Sequence, residues 1–211
     1  MDIYIQRLIE RYPDLADCVP AIEGAYALLA TAFEQRRKLL ICGNGGSAAD
    51  SEHIVGELMK GFRSRRPLPP SIRERLIAEW PQEGTYIGEH LQGALPAISL
   101  SAHTALATAY TDDVVADLVF AQQVYGYGEA GDILLCISTS GRSRNICFAA
   151  QVAQTLGLHT IGLTGSDGGL LATLSEIAIC VPRNTVEDIQ EMHLPVYHTL
   201  CLMLEEHFFC E

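Results

Sequence analysis

The stretch "LLICGNGGSAADSEHIVGELMKGF", Leu39 to Phe62, decides the fold class. An apolar run leads into a glycine-rich turn, and the turn opens a helical pattern carrying His53 and Glu57. Four more short apolar runs follow, at 96–100, 132–138, 159–165 and 177–182, and residues 38–42 make the first. None alternates between apolar and polar residues, which suits strands buried on both faces of a parallel sheet. Helical patterns at 47–62, 103–126, 142–156 and 186–209 separate them. Alternating strands and helices imply an α/β fold, a doubly wound five-stranded parallel sheet flanked by helices. In such sheets ligands bind beyond the carboxyl ends of the strands, where the Gly- and Ser-rich turns fall.

Working outward, residues 2–35 read as two helices broken near Pro13 and Pro20, giving an N-terminal helical segment over 1–36. Residues 63–95 break the rhythm. They begin basic and proline-rich, contain Trp80, and are too long for an ordinary connection. They read as an insertion with a short helix near 71–79, serving as a lid, an oligomer contact or a tether. The whole chain, 1–211, reads as one domain.

With 48% hydrophobic residues in 211, the chain can bury a sizeable core. No apolar run approaches the roughly 20 residues of a membrane span, so no membrane partner is expected. The N-terminus lacks a basic segment followed by an apolar one, so no signal peptide is read. A formal net charge of -12 argues against a nucleic-acid partner, because phosphate backbones need basic patches. The seven cysteines show no metal-ligand spacing and sit partly in strand-like runs, which points to free thiols in a reducing cytoplasm.

The turn "GNGGSAA" can cradle an anion, since glycines admit close backbone approach and the next helix offers free N–H groups. It also fits the loose dinucleotide pattern G-x-G-x-x-A through Gly43, Gly45 and Ala48. A dinucleotide site wants a second strand and an acidic residue soon after the helix. Here the next strand waits until about 96, which disfavours NAD(P). The second turn, "ISTSGRSRN", crowds Ser138, Thr139, Ser140 and Ser143 around one glycine. One helix cap needs one hydroxyl; four suit a phosphomonoester better.

On a helical wheel, Ala48, Val55, Leu58, Met59 and Phe62 gather on the side expected to face the sheet, with Asp50, His53, Glu57 and Lys60 opposite. The opposite face is either solvated or covered, with another subunit as the expected cover. The i, i+4 spacing sets His53 beside Glu57, as two ligands of one metal would need. The last helix carries the apolar stripe Val186, Ile189, Val196, Tyr197, Leu200, Met203 and Leu204, with Leu194, Cys201 and Leu202 extending it. Within it "IQEMHLPVYH" holds Gln190 and His198 a rise of about 12 Å apart. They are either polar residues satisfied in an interface or ligands of a metal between them. Pro195 between them removes a hydrogen bond and is expected to kink the helix.

The motifs "CGNGGSAADSEHIVGEL", "ISTSGRS", "LTGSDGG" and "IQEMHLPVYH", in this order, resemble the SIS (sugar isomerase) domain family, most closely its phosphoheptose isomerases. The resemblance runs over most of the chain and fails mainly at 63–95. It implies a homotetramer with active sites shared between subunits, a sugar phosphate substrate, and one Zn2+ per active site held by His53, Glu57, Gln190 and His198. It also implies substrate contacts from Asn44, Gly45, Gly46, Glu57 and Gln190, and phosphate contacts from Ser138, Thr139, Ser140 and Ser143. Asp112 falls where the family has an Asn-Asp pair for sugar hydroxyls, with Thr111 in place of the Asn. Near Lys60-Gly61 the family often has an arginine, for which Lys60 or Arg63 are the substitutes. The implied reaction is aldose-ketose isomerisation of sedoheptulose 7-phosphate through an enediol, with Glu57 and His198 as the catalytic pair. Two other functions fit the same motifs: a non-catalytic SIS protein binding a replication-initiator-type partner, and an isomerase or sensor for another sugar phosphate.

Overall fold

A computed structural model describes residues 2–210. In chain order the elements are α1 (Ile3–Arg11), a 3-10 turn (Pro13–Cys18), α2 (Val19–Glu34), β1 (Leu39–Gly43), α3 (Gly46–Met59), α4 (Pro70–Glu79), α5 (Gly84–His90), β2 (Ala97–Ser99) and α6 (Thr104–Asp113). A second 3-10 turn (Ala116–Leu118) leads into α7 (Val119–Tyr127), followed by β3 (Ile133–Ser138), α8 (Arg144–Thr155), β4 (His159–Thr164), α9 (Gly169–Leu174), β5 (Ile177–Cys180) and α10 (Val186–Phe209).

The strands form one parallel sheet of five in the order β2-β1-β3-β4-β5. The continuous apolar runs follow from its two covered faces. Leu39 and Ile41 of β1, with Ile133 and Leu135 of β3, point into the core shared with α2, α3 and α10. Leu40 and Cys42, with Leu134 and Cys136, point into the core under α7 and α8. Each fully buried Leu or Ile contributes about 1.5–3 kcal/mol, so interrupting the run in β1 or β3 with polar residues would harm both layers. The order reverses between β1 and β3. The glycine turn after β1 and the serine turn after β3 therefore flank the switch point, the crevice where doubly wound sheets bind ligands.

Several expectations need correction. The pattern over 103–126 is two helices, broken where Val114 leaves the helical region at φ -128°, ψ -84°. The insertion holds two helices, α4 and α5; Gly84 packs so tightly on α4 that an added Cβ would meet the Leu76 carbonyl oxygen. Helix α9 has no counterpart among the predicted patterns. Residues Pro13–Glu34 are, by length and composition, apolar enough to cross a membrane, contrary to the sequence reading. Here they supply Leu15, Ile22, Ala25, Leu29 and Phe33 to the core beside the sheet.

The wheel of α3 also needs correction. Met59 is 46% exposed, whereas Ser47, Ser51, Ile54, Glu57 and Leu58 are buried. The cover over the polar face is not a second subunit in the first instance but α10 of the same chain. Pro195 is buried inside α10 without breaking it; Thr199 Oγ1 donates to the Pro195 carbonyl at 2.8 Å.

His193, fully buried on α10, is pushed down to about 4 by burial, from an ordinary value of 6.5. A histidine depressed in the folded state binds its proton more readily when unfolded, so stability is full above 6.5 and falls as pH drops towards 4. The expected loss across that window is roughly 3 kcal/mol. Denaturant titrations of wild type and His193→Leu at both pH values check this: the variant should lack that part of the slope.

Candidate functional site

The glycine turn and the serine turn face each other across a cleft of about 320 Å³, lined by Asn44, Gly45, Gly46, Ser138, Thr139, Ser143 and Gln190. Gly45 adopts φ 58°, which a residue with a side chain resists. Gly46 is required for a different reason: an added Cβ would collide with Gln190 Nε2. In the serine turn, Ser138 and Ser143 hydroxyls are paired at 3.2 Å, while Ser140 Oγ accepts from the Arg142 N–H at 3.2 Å on the outer side. Gly141, at φ 60°, lets this turn rest on the Gly168 backbone. The two turns are tied by an amide pair not anticipated from the sequence. Asn44 Nδ2 donates to Asn145 Oδ1 at 3.0 Å, and Asn145 Nδ2 returns a bond to Asn44 Oδ1 at 2.9 Å.

Helix α10 runs alongside α3 in the same direction. Gln190 meets Gly46, Tyr197 meets Asp50 and His53, His198 meets His53, and Glu205 meets Phe62. His53, Glu57 and His198 therefore lie together about two to three turns along from the glycine turn. His53 Nε2 is 3.2 Å from Glu57 Oε1, and the two imidazole ring centres are 5.0 Å apart at 87°. Lys60 Nζ donates to Glu57 Oε2 at 2.9 Å, whereas Arg63 contributes only its backbone N–H to Glu205. Gln190 is not in this group. Its amide stands over the glycine turn, as the rise of about 12 Å from His198 dictates. Thr111 and Asp112 are not in it either. They are exposed on α6, which has no buried residue and does not reach the cleft.

Among the described residues no three His, Cys, Asp or Glu side chains are arranged as a formed metal centre. The chemistry of the three that approach each other nevertheless suits one. Tyr197 OH donates to Asp50 Oδ1 at 3.2 Å. Burial, then Asp50, raises the Tyr197 phenol well above its ordinary value, so it stays protonated. Its oxygen must then accept from His53 Nδ1–H, at 3.0 Å. In the neutral ring this leaves a lone pair on Nε2, facing the Glu57 carboxylate. Two such acceptors repel unless a proton or a metal ion joins them. Outer hydrogen bonds of this kind orient metal-binding histidines. Neighbouring donors on a tetrahedral zinc lie about 3.4 Å apart, close to the 3.2 Å here. His198 Nε2 is buried and has no hydrogen-bond partner. Burial, helped by His53, holds His198 below its ordinary value despite Glu57, which keeps it neutral as a ligand or proton carrier must be.

The sequence model of the SIS domain family matches residues 4–89 and 84–165. The phosphoheptose isomerase of a Nitratiruptor species is 40% identical over 187 residues, covering 89% of this chain and 86% of that protein. The phosphoheptose isomerase of a Synechocystis species is 37% identical over 191 residues, covering 90% and 85%. A solved phosphoheptose isomerase from Francisella tularensis superposes with a TM-score of 0.76 at 30% identity, covering 96% of this chain and 95% of that one. The one from Neisseria gonorrhoeae gives 0.75 at the same identity and coverage.

Proposed function

Since the chain belongs to the SIS domain family and, within it, to the phosphoheptose isomerases, we propose that it interconverts sedoheptulose 7-phosphate and D-glycero-D-manno-heptose 7-phosphate. The observation that carries this reading is the alignment of α10 along α3. It sets an acid-base group, Glu57 with His198, on the same pair of helices whose other end frames the cleft between the two turns.

In this reading the serine turn takes the phosphate through Ser138, Thr139, Ser140, Ser143 and the amides opening α8, without needing lysine. Asn44, Gly45, Gly46 and Gln190 contact the sugar. Glu57 removes a proton from C1 of the open-chain ketose, and His198 delivers one to O2, giving the enediol. His198 then takes the proton from the O1 hydroxyl as Glu57 returns its own to C2. The aldehyde forms at C1, and both residues regain their starting states. Zinc, for which His53, Glu57 and His198 are the donors that lie together, would polarise the carbonyl and steady the enediolate. Glu57 bound tightly to a metal is a poorer base, so it serves one role at a time.

The same reading makes the protein a cytoplasmic homotetramer. Free thiols at all seven cysteines support the compartment. The unburied α6, with Thr111, Asp112 and the exposed Val114, Val115 and Tyr125 around it, supports a neighbouring subunit that completes the site. Incubation with sedoheptulose 7-phosphate, with zinc and with chelator, tests the activity: aldose phosphate should appear in the first case only. Light scattering on the same preparation should return four times the mass of one chain. Well-folded, zinc-loaded protein that leaves the heptulose unchanged would require another substrate or a binding role.

A further inference from the structure

Arg66 is the largest of the fully buried side chains, and it is a cation. Its Nη2 donates to the Glu57 carbonyl at 2.8 Å, its Nη1 to the Leu58 carbonyl at 2.7 Å, and its Nε to Glu205 Oε1 at 2.8 Å. Glu205 in turn accepts the backbone N–H groups of Phe62, Arg63 and Ser64 at 2.8, 2.8 and 3.2 Å. The Phe209 ring lies under the guanidinium at 4.6 Å. Glu205 thus accepts four hydrogen bonds, and each guanidinium nitrogen of Arg66 has an acceptor.

Such a pair is a poor source of stability, because desolvation offsets most of its attraction. What it does well is fix geometry. The last carbonyls of a helix have no partners within it; Arg66 holds that of Glu57, and shares that of Leu58 with the Leu95 N–H at 3.0 Å. A planar guanidinium reaching two carbonyls and a carboxylate at once sets the last turn of α3 in position and direction.

We propose that the buried Arg66–Glu205 pair is the positioning device for Glu57, fixing its backbone so that its carboxylate is presented beside His53 to the reacting carbon. This rests on the reading of Glu57 as the base. It also gives the insertion a link to the site. Arg66 stands at the insertion's start, its carbonyl accepts from the Gly93 N–H near the insertion's end at 2.7 Å, and Pro67 pairs with Gln92.

Arg66→Lys keeps a charge for Glu205 but cannot hold both carbonyls. With sedoheptulose 7-phosphate at a temperature well below each variant's unfolding midpoint, kcat is expected to fall about 10- to 100-fold, since small misplacements of a reacting group cost that much. KM should stay within about twofold, because the serine turn is untouched. Phe209→Leu leaves every polar contact in place and carries the test if Arg66→Lys fails to fold; about a threefold loss in kcat is expected. Unchanged kcat in a folded variant, or a raised KM at unchanged kcat, overturns the inference. Glu57→Gln measured alongside separates the two levels: if it turns over normally, the reading of Glu57 as base fails instead.

Discussion

Glu57→Gln is expected to lower kcat by about 10³-fold or more while leaving the protein folded and able to bind its substrate. The amide matches the carboxylate in shape but cannot accept a proton from carbon, and general-base catalysis contributes about 10²–10⁴-fold. Stability should change little. The partners lost are Lys60 and His53, whose side chains are 58% and 42% exposed, so water reaches their side of each pair and screens it towards the roughly 0–1 kcal/mol of surface pairs. The Arg66 bond goes to the Glu57 backbone carbonyl and survives the substitution. Steady-state turnover and calorimetric binding of sedoheptulose 7-phosphate check the two halves separately. Binding is expected within about tenfold of wild type, because the phosphate turn lies on α8 and β3, away from Glu57. Normal turnover by the variant would remove Glu57 from the mechanism even with the substrate correctly assigned.

The sheet was legible because both of its faces are covered, so each strand reads as an unbroken apolar run. The order β2-β1-β3-β4-β5 was not legible, and it is what sets the glycine and serine turns on neighbouring strands at the reversal. The insertion was less legible. α4 buries no residue, so no apolar face announces where its helices begin and end. The wheel of α3 failed for a related reason: it assumed one covered face, whereas the sheet and α10 cover two. That double cover makes Glu57 buried and Met59 exposed, against their polarity. His53 and Glu57 could be paired from i, i+4 spacing alone. His198 was joined to them only through the resemblance, because spacing alone does not show that α10 runs parallel to α3. Glu205 does leave a trace in the sequence: an acid inside the apolar stripe of α10 needs a buried partner. Nothing in "RSRRPLPP" singles out Arg66 as that partner among its neighbours.

Removing metal is expected to abolish turnover, by at least about 100-fold, and zinc to restore it. The reason lies in hydrogen bonds, not in the resemblance to other isomerases. Tyr197 spends its proton on Asp50, His53 therefore spends its own on Tyr197, and Nε2 is left facing a carboxylate at 3.2 Å. His198 adds a buried nitrogen with no partner beside the same ring. A cation answers all three needs at once. Tyr197→Phe offers a sharper version of the test. It cannot ligate the metal, yet it frees His53 Nδ1 and its tautomer, so zinc affinity should drop about 10- to 100-fold, as loss of an outer hydrogen-bond partner typically costs. Zinc titration with a chromophoric chelator reads this without any turnover assay, and elemental analysis should find one zinc per chain in wild type. Full activity in protein shown to be free of metal would place a proton, and not zinc, between His53 and Glu57. The pair would then act as acid and base alone.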